Sequence, residues 1–153
     1  MSTTKAHRVG TTNGEPPTSA EANKALVRRW FEELDKRNFA IIEELLPENY
    51  EDHSPPLPDL PAGREGVRAS TRQLFAAFPD AVHVIEDQLA EGDKVMTRLT
   101  TRATFTGEIL GFQATGRIVE VSGIAVHRIA NGQLVELGAH GHGGVHSTDR
   151  RCA

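Results

Sequence analysis

"KVMTRLTTRATF", residues 94–105, alternates strictly: Val95, Thr97, Leu99, Thr101, Ala103 and Phe105 fall on one face, and Lys94, Met96, Arg98, Thr100, Arg102 and Thr104 on the other. A period of two is the signature of a strand with one side against a core and the other against solvent. Upstream, residues 81–89 are rich in β-branched and apolar types, and Gly92-Asp93 offers a turn between two strands. Downstream, "TGEILGFQATG", residues 106–116, holds three glycines and connects to a further strand over 117–128. Asn131-Gly132 is a two-residue hairpin signal, so the chain from Leu134 onward is predicted to return antiparallel.

Before Pro79 the period is that of a helix. Thr18 and Glu21 form a capping box behind Pro17, and Ala22, Leu26, Trp30 and Leu34, with Val27 and Phe31 alongside, make one apolar stripe to about Lys36. A short second helix, "FAIIEELL" (39–46), follows a turn at residues 35–38 and is stopped by Pro47. Five prolines in residues 47–66 predict an irregular crossing over the surface or over a cavity mouth. A third helix over 64–78 places Val67, Thr71, Leu74, Phe75 and Phe78 on one face. The predicted fold class is α+β: three helices over residues 18–78, then an antiparallel meander that curves around them as a cone with an apolar interior.

At 153 residues, with 38% apolar and 25% charged residues and a formal charge of −4, the composition is that of one ordinary soluble domain, with no bias toward nucleic acid or anionic membranes. The single Cys152 excludes an internal disulfide framework and makes a reducing cytoplasm the expected setting. No run approaches the roughly 20 apolar residues of a membrane span. Residues 1–17 are polar, rich in Thr, Gly and Pro, and predict a disordered tail without a signal peptide's apolar core.

On the strand over 117–128, Val119, Val121, Gly123, Ala125 and His127 share the face that reads as interior. His127 then stands at one end of an apolar wall, either as an imidazole whose pKa burial tunes for proton transfer or as a strand-end histidine meeting solvent or a carbonyl.

"AAFPD" (76–80), "EGDKV" (91–95), "FTGEILGFQATGR" (105–117) and "HRIANGQLVE" (127–136), in that order and spacing, resemble the SnoaL-like polyketide cyclases, or ester cyclases, of the nuclear-transport-factor-like superfamily. The resemblance covers residues 23–136. It implies a cone whose pocket takes a hydrophobic ketone or ester, no cofactor, and ring closure by intramolecular aldol condensation. That chemistry needs a base to remove a proton α to a carbonyl and an acid for the developing alkoxide, both in a dry pocket. By the same resemblance His53, in "YEDHSP", matches a pocket histidine with Tyr50 just before it, and His127 a second. Asp80, in "FPD", matches a recurrent aspartate that serves either the site or the helix-to-strand turn. Trp30, Tyr50, Phe75, Phe78, Leu99 and Phe105 are the candidate substrate-binding residues, each either pocket lining or core. Some relatives are linked to hydroxylation instead, and superfamily members commonly form homodimers through the sheet.

The ending departs from the resemblance. Relatives continue after "GQLVE" with His-Trp, an Asp four residues past the Trp, and an apolar close. Here "LGAHGHGGVHSTDRRCA" (137–153) stands instead, a Gly/His-rich tail of low β propensity with Gly141 near the expected acid/base Asp. His140, His142 and His146 could ligate zinc or copper, but no carboxylate or cysteine supports them, and the sequence predicts no metal site. A second origin fits better. Reading from the second base of each codon, the degenerate code permits W-V-H-T-D-M-V-A-F-T-Q-L-I-G-A-A, the family ending with its Asp in place. Without that closing strand, an unpaired sheet edge and poorer solubility are expected, and two functions stay open: a cyclase, or a binding-only cone inactive for want of the Asp.

Overall fold

The computed structural model describes residues 20–141 and 146–147. The tail over 1–17, the Thr18 cap and His142 lie outside the described residues. The elements run α1 (Ala20–Asp35), α2 (Ile41–Leu45), β1 (Glu51–Asp52), α3 (Arg64–Ala77), β2 (Val82–Glu91), β3 (Lys94–Thr104), β4 (Ile118–Ala130), β5 (Gln133–Gly141) and β6 (His146–Ser147).

α1 buries Val27, Trp30, Phe31 and Leu34 along the stripe that its sequence sets out. α2 is a single turn of anchors, Ile41, Ile42 and Leu45; Leu46, extended ahead of Pro47, ends it as a residue before proline must. These side chains pack with Tyr50, Val95, Ile129 and Leu134 into one core between α1, α2 and the sheet. α3 departs from its predicted face. Its buried positions are Gly66, Ser70, Thr71 and Ala77, whereas Val67, Leu74 and Phe75 are only partly buried. Val67 and Leu74 border a cavity, Val67 while also touching the core, which is why burial does not follow the apolar stripe.

The sheet has the order β1-β5-β4-β3-β2, with β6 pairing β4 where β5 has ended, and it is not closed. β2 to β5 form the predicted meander. Glu91 pairs Lys94 across the first hairpin, and Ala130 pairs Gln133 across the last, where Asn131 and Gly132 both take positive φ (51° and 71°) as a tight two-residue turn requires. In β3, Val95, Thr97 and Ala103 are buried while Lys94, Met96, Arg98 and Arg102 are exposed. Register shifts at Ile85/Asp87 and at Arg128/Ile129 bend the sheet over the helices.

Two segments correct the sequence reading. Within the proline-rich crossing, Glu51 and Asp52 pair in parallel with Glu136 and Leu137, and His53 N–H donates to Leu137 C=O at 2.9 Å, so the sheet is not purely antiparallel. A two-residue strand has no period to read. The return from Leu134 forms as predicted and extends into the tail read as poor in β propensity: β5 runs in register with β4 to the Gly123–Gly141 pair. Backbone pairing asks nothing of side chains, and β4 offers a full-length partner.

Candidate active site

A cavity of about 390 Å³ lies between the helices and the inner face of the sheet, within the size range of small-molecule pockets. Trp30, Phe31 and Leu34 enter it from α1 and Val67, Ser70, Thr71 and Leu74 from α3; His83 comes from β2, Leu99 from β3, and Val121, Ala125 and His127 from β4. Tyr50, Asp52, Ser54 and Pro56, around β1, line it too, as does Leu137 of β5.

Three polar side chains stand out on this apolar lining. His127 is essentially without solvent exposure, and its Nδ1 has no hydrogen-bond partner among the described residues. Burial holds its imidazole well below the usual histidine range, at about 4, so it is neutral at physiological pH. Tyr50 is pushed in the other direction, first by burial and then by the nearby Asp52 carboxylate, so its phenol keeps the proton. His83 is fixed by Asp35, the last residue of α1. The Asp35 Oδ2 accepts from His83 backbone N–H at 3.0 Å, and its Oδ1 lies 2.6 Å from His83 Nδ1. The Phe31 ring packs on both imidazoles, with centroids 5.1 Å from His83 and 6.0 Å from His127.

Alternation carries His83 inward. Ala81, His83 and Ile85 are at least partly buried and their neighbours Val82 and Val84 exposed. Arg37, at φ 63°, secures this corner: its guanidinium donates to the carbonyls of Leu34, Asp35, Pro79 and Ala81 and lies 4.0 Å over the Phe75 ring, clamping the end of α1 to the start of β2.

The residues singled out from sequence separate into two groups. Trp30, Tyr50, Leu99 and His127 converge on the cavity. The others sit elsewhere. Phe75 pairs with Phe39 in an outer groove between α2 and α3, and Phe78 stacks on Phe105 at 5.2 Å. Asp80 accepts from Thr104 N–H at 2.7 Å and Thr104 Oγ1 at 2.6 Å, bonds that hold its carboxyl below the usual range. His53 is exposed beside the cavity, with Nε2 2.6 Å from Glu136 and 3.8 Å from Glu51. Arg128 Nε donates to the second Glu136 oxygen at 2.6 Å, so that cluster already holds a guanidinium; the Arg128 bond, then the His53 bond, keep the Glu136 carboxyl low. Gly141 pairs with Gly123, which lines the cavity, four rungs along the β4/β5 ladder from the His127–Leu137 pair that also lines it. Asp35 and His83 were not singled out. The one sequence signal was the inward parity of His83; a partner 48 residues away leaves no local trace.

No helix among the described residues is long and apolar enough to cross a membrane. The family profile of SnoaL-like polyketide cyclases matches residues 25–139. Among solved structures, the fold is similar to TsrD from Streptomyces laurentii (24% identity over 81% of this chain and 90% of that one, TM-score 0.71). It is also similar to AclR from Streptomyces galilaeus, a hydroxylase candidate (24%, 80% and 80%, TM-score 0.71). IdmH from Streptomyces antibioticus, a polyketide cyclase candidate, is a third (24%, 78% and 91%, TM-score 0.68). No curated protein matches the chain.

Proposed function

The chain belongs to the SnoaL-like polyketide cyclase family, and from that premise we propose that it binds a hydrophobic ketone or ester in the cavity and closes a ring on it by cofactor-independent acid/base chemistry. The observation that carries this reading is the pairing of an apolar cavity with polar side chains of opposite tuning: a neutral His127 and a protonated Tyr50. A neutral imidazole and a phenol are suited to hydrogen-bond the oxygen on which charge develops, and burial strengthens such bonds. His53 and Asp80, bonded outside the cavity, serve the frame in this reading rather than the reaction.

Trp30 is the chain's one tryptophan and lines the cavity, so its fluorescence tests occupancy. Titration with 2-tetralone, a bicyclic ketone, is expected to quench it saturably at one ligand per chain. Quenching that never saturates defeats the reading. One observation favours a second reading, a binding domain without turnover: Gly141, paired with the cavity-lining Gly123, stands where the resemblance calls for an Asp. A linear poly-β-keto ester separates the two. Ring closure by the unaltered chain supports the cyclase, and ring closure only after Gly141→Asp supports the binding domain.

The same proposal includes a homodimer through the sheet. Val82, Val84, Leu89, Met96 and Ile118 are exposed on the face turned away from the helices, interspersed with Arg98, Arg102 and Glu120, a mixture of signs that suits a self-complementary twofold contact. Sedimentation velocity giving a dimer that Met96→Lys dissociates is the expected result; a monomer at all concentrations removes the dimer and leaves the cavity reading intact.

A further inference from the structure

Asp35 occupies a position that local physics disfavours. It ends α1, where the helix dipole is negative and a basic residue is the usual choice, and α1 has no basic residue in its last turn. Its carboxylate is nonetheless engaged at both oxygens by one residue, His83, through the main chain and through the ring. A contact from the backbone alone would suffice to fix the start of β2. The ring contact adds something else: an acceptor 2.6 Å from Nδ1 holds the imidazole in the tautomer protonated at Nδ1, leaving Nε2 with its lone pair. No hydrogen bond to Nε2 forms among the described residues, and His83 lines the cavity.

We infer that His83 is the base of this site and Asp35 its positioning residue. The inference rests on the cavity being a ketone site and adds the group that starts the reaction there. In the step, the α C–H bond of the ketone breaks, the proton goes to His83 Nε2, and the bonding electrons form the enolate, with charge on the carbonyl oxygen. Asp35 stabilises the imidazolium that results, as a carboxylate behind a catalytic histidine does, and the proton is returned to carbon or oxygen later in the cycle. His127 is unsuited to the same task, because no carboxylate among the described residues contacts it and it is buried among apolar groups that resist its charged form. The two imidazoles, both packed on Phe31, therefore divide the work. One takes the proton and the other faces the oxygen.

The test follows hydrogen–deuterium exchange at the α-carbon of 2-tetralone in D2O with the full chain, alongside Trp30 quenching as an independent measure of binding. The native chain is expected to accelerate exchange, His83→Gln to lose about 10³-fold with binding changed less than threefold, and Asp35→Asn to lose roughly 10-fold in kcat with KM nearly unchanged. Exchange by His83→Gln at the native rate overturns the inference and leaves the ketone site standing. Native binding without exchange also overturns it, and absence of binding defeats the underlying reading along with it. A measurement without ligand guards against misfolded variants: the 15N spectrum of the native chain should show His83 protonated at Nδ1 and bare at Nε2. The opposite tautomer overturns the assignment.

Discussion

The two walls of the cavity make an instructive pair. On the α1/β2 wall, a carboxylate and an imidazole are locked by two bonds and clamped from behind by Arg37. On the β4/β5 wall, an imidazole stands buried with Nδ1 unpartnered among the described residues, and the neighbouring strand ends at Gly141, paired with Gly123. The first wall has what proton transfer demands, a fixed tautomer with a counter-charge; the second has a neutral group that costs stability and carries no charge of its own. A single cavity thus contains two histidines of opposite character, set by what lies behind each ring.

Substitutions on either side sharpen the contrast. The largest effect is expected at His83, whose change to Gln should cost about 10³-fold in ketone enolisation, or roughly 4 kcal/mol of transition-state stabilisation. Next comes acid sensitivity from the other wall. His127 binds its proton near 6.5 in the unfolded chain and only near 4 when folded, so the unfolded state gains protons first as pH falls. Stability is full above about 6.5 and declines down to about 4, by roughly 3 kcal/mol. Urea unfolding across that range is expected to trace the decline, and His127→Leu to flatten it. Should His127→Leu leave the acid limb unchanged, the burial of the neutral ring is not its cause.

Arg37→Ala, which removes the clamp behind the Asp35–His83 wall, is expected to lower unfolding stability by about 2 kcal/mol and to slow exchange as the pair loosens. Asp80→Ala should lower the melting temperature by roughly 3 °C through loss of its two bonds to Thr104, with turnover preserved. His53→Ala is expected to change neither exchange nor binding, because its bond to Glu136 lies outside the cavity. A loss of turnover there restores His53 to the site.

Much of this was legible in the chain. The period-two run of residues 94–105, the Asn131-Gly132 turn and the stripe of α1 each express one local rule, and each appears in the fold as written. What was not legible involves contacts across the cavity. α3 looks amphipathic, but half its apolar face borders empty space, so periodicity named the face and overstated its burial. Phe75, Phe78 and Phe105 read as either lining or core, a choice their residue type cannot make; ring-to-ring pairing places them outside the cavity. Asp35 looked like a turn residue and His83 like one more strand position; only the crossing of α1 over β2 joins them.

The most direct measurement is a crystal structure of the full chain with 2-tetralone bound. The account predicts the ketone between Trp30 and the sheet, its α-carbon about 3.5 Å from His83 Nε2 and its oxygen turned toward His127 or Tyr50. A ketone resting in the groove beside Phe39 and Phe75, or one in the cavity with its α-carbon turned away from His83, contradicts it.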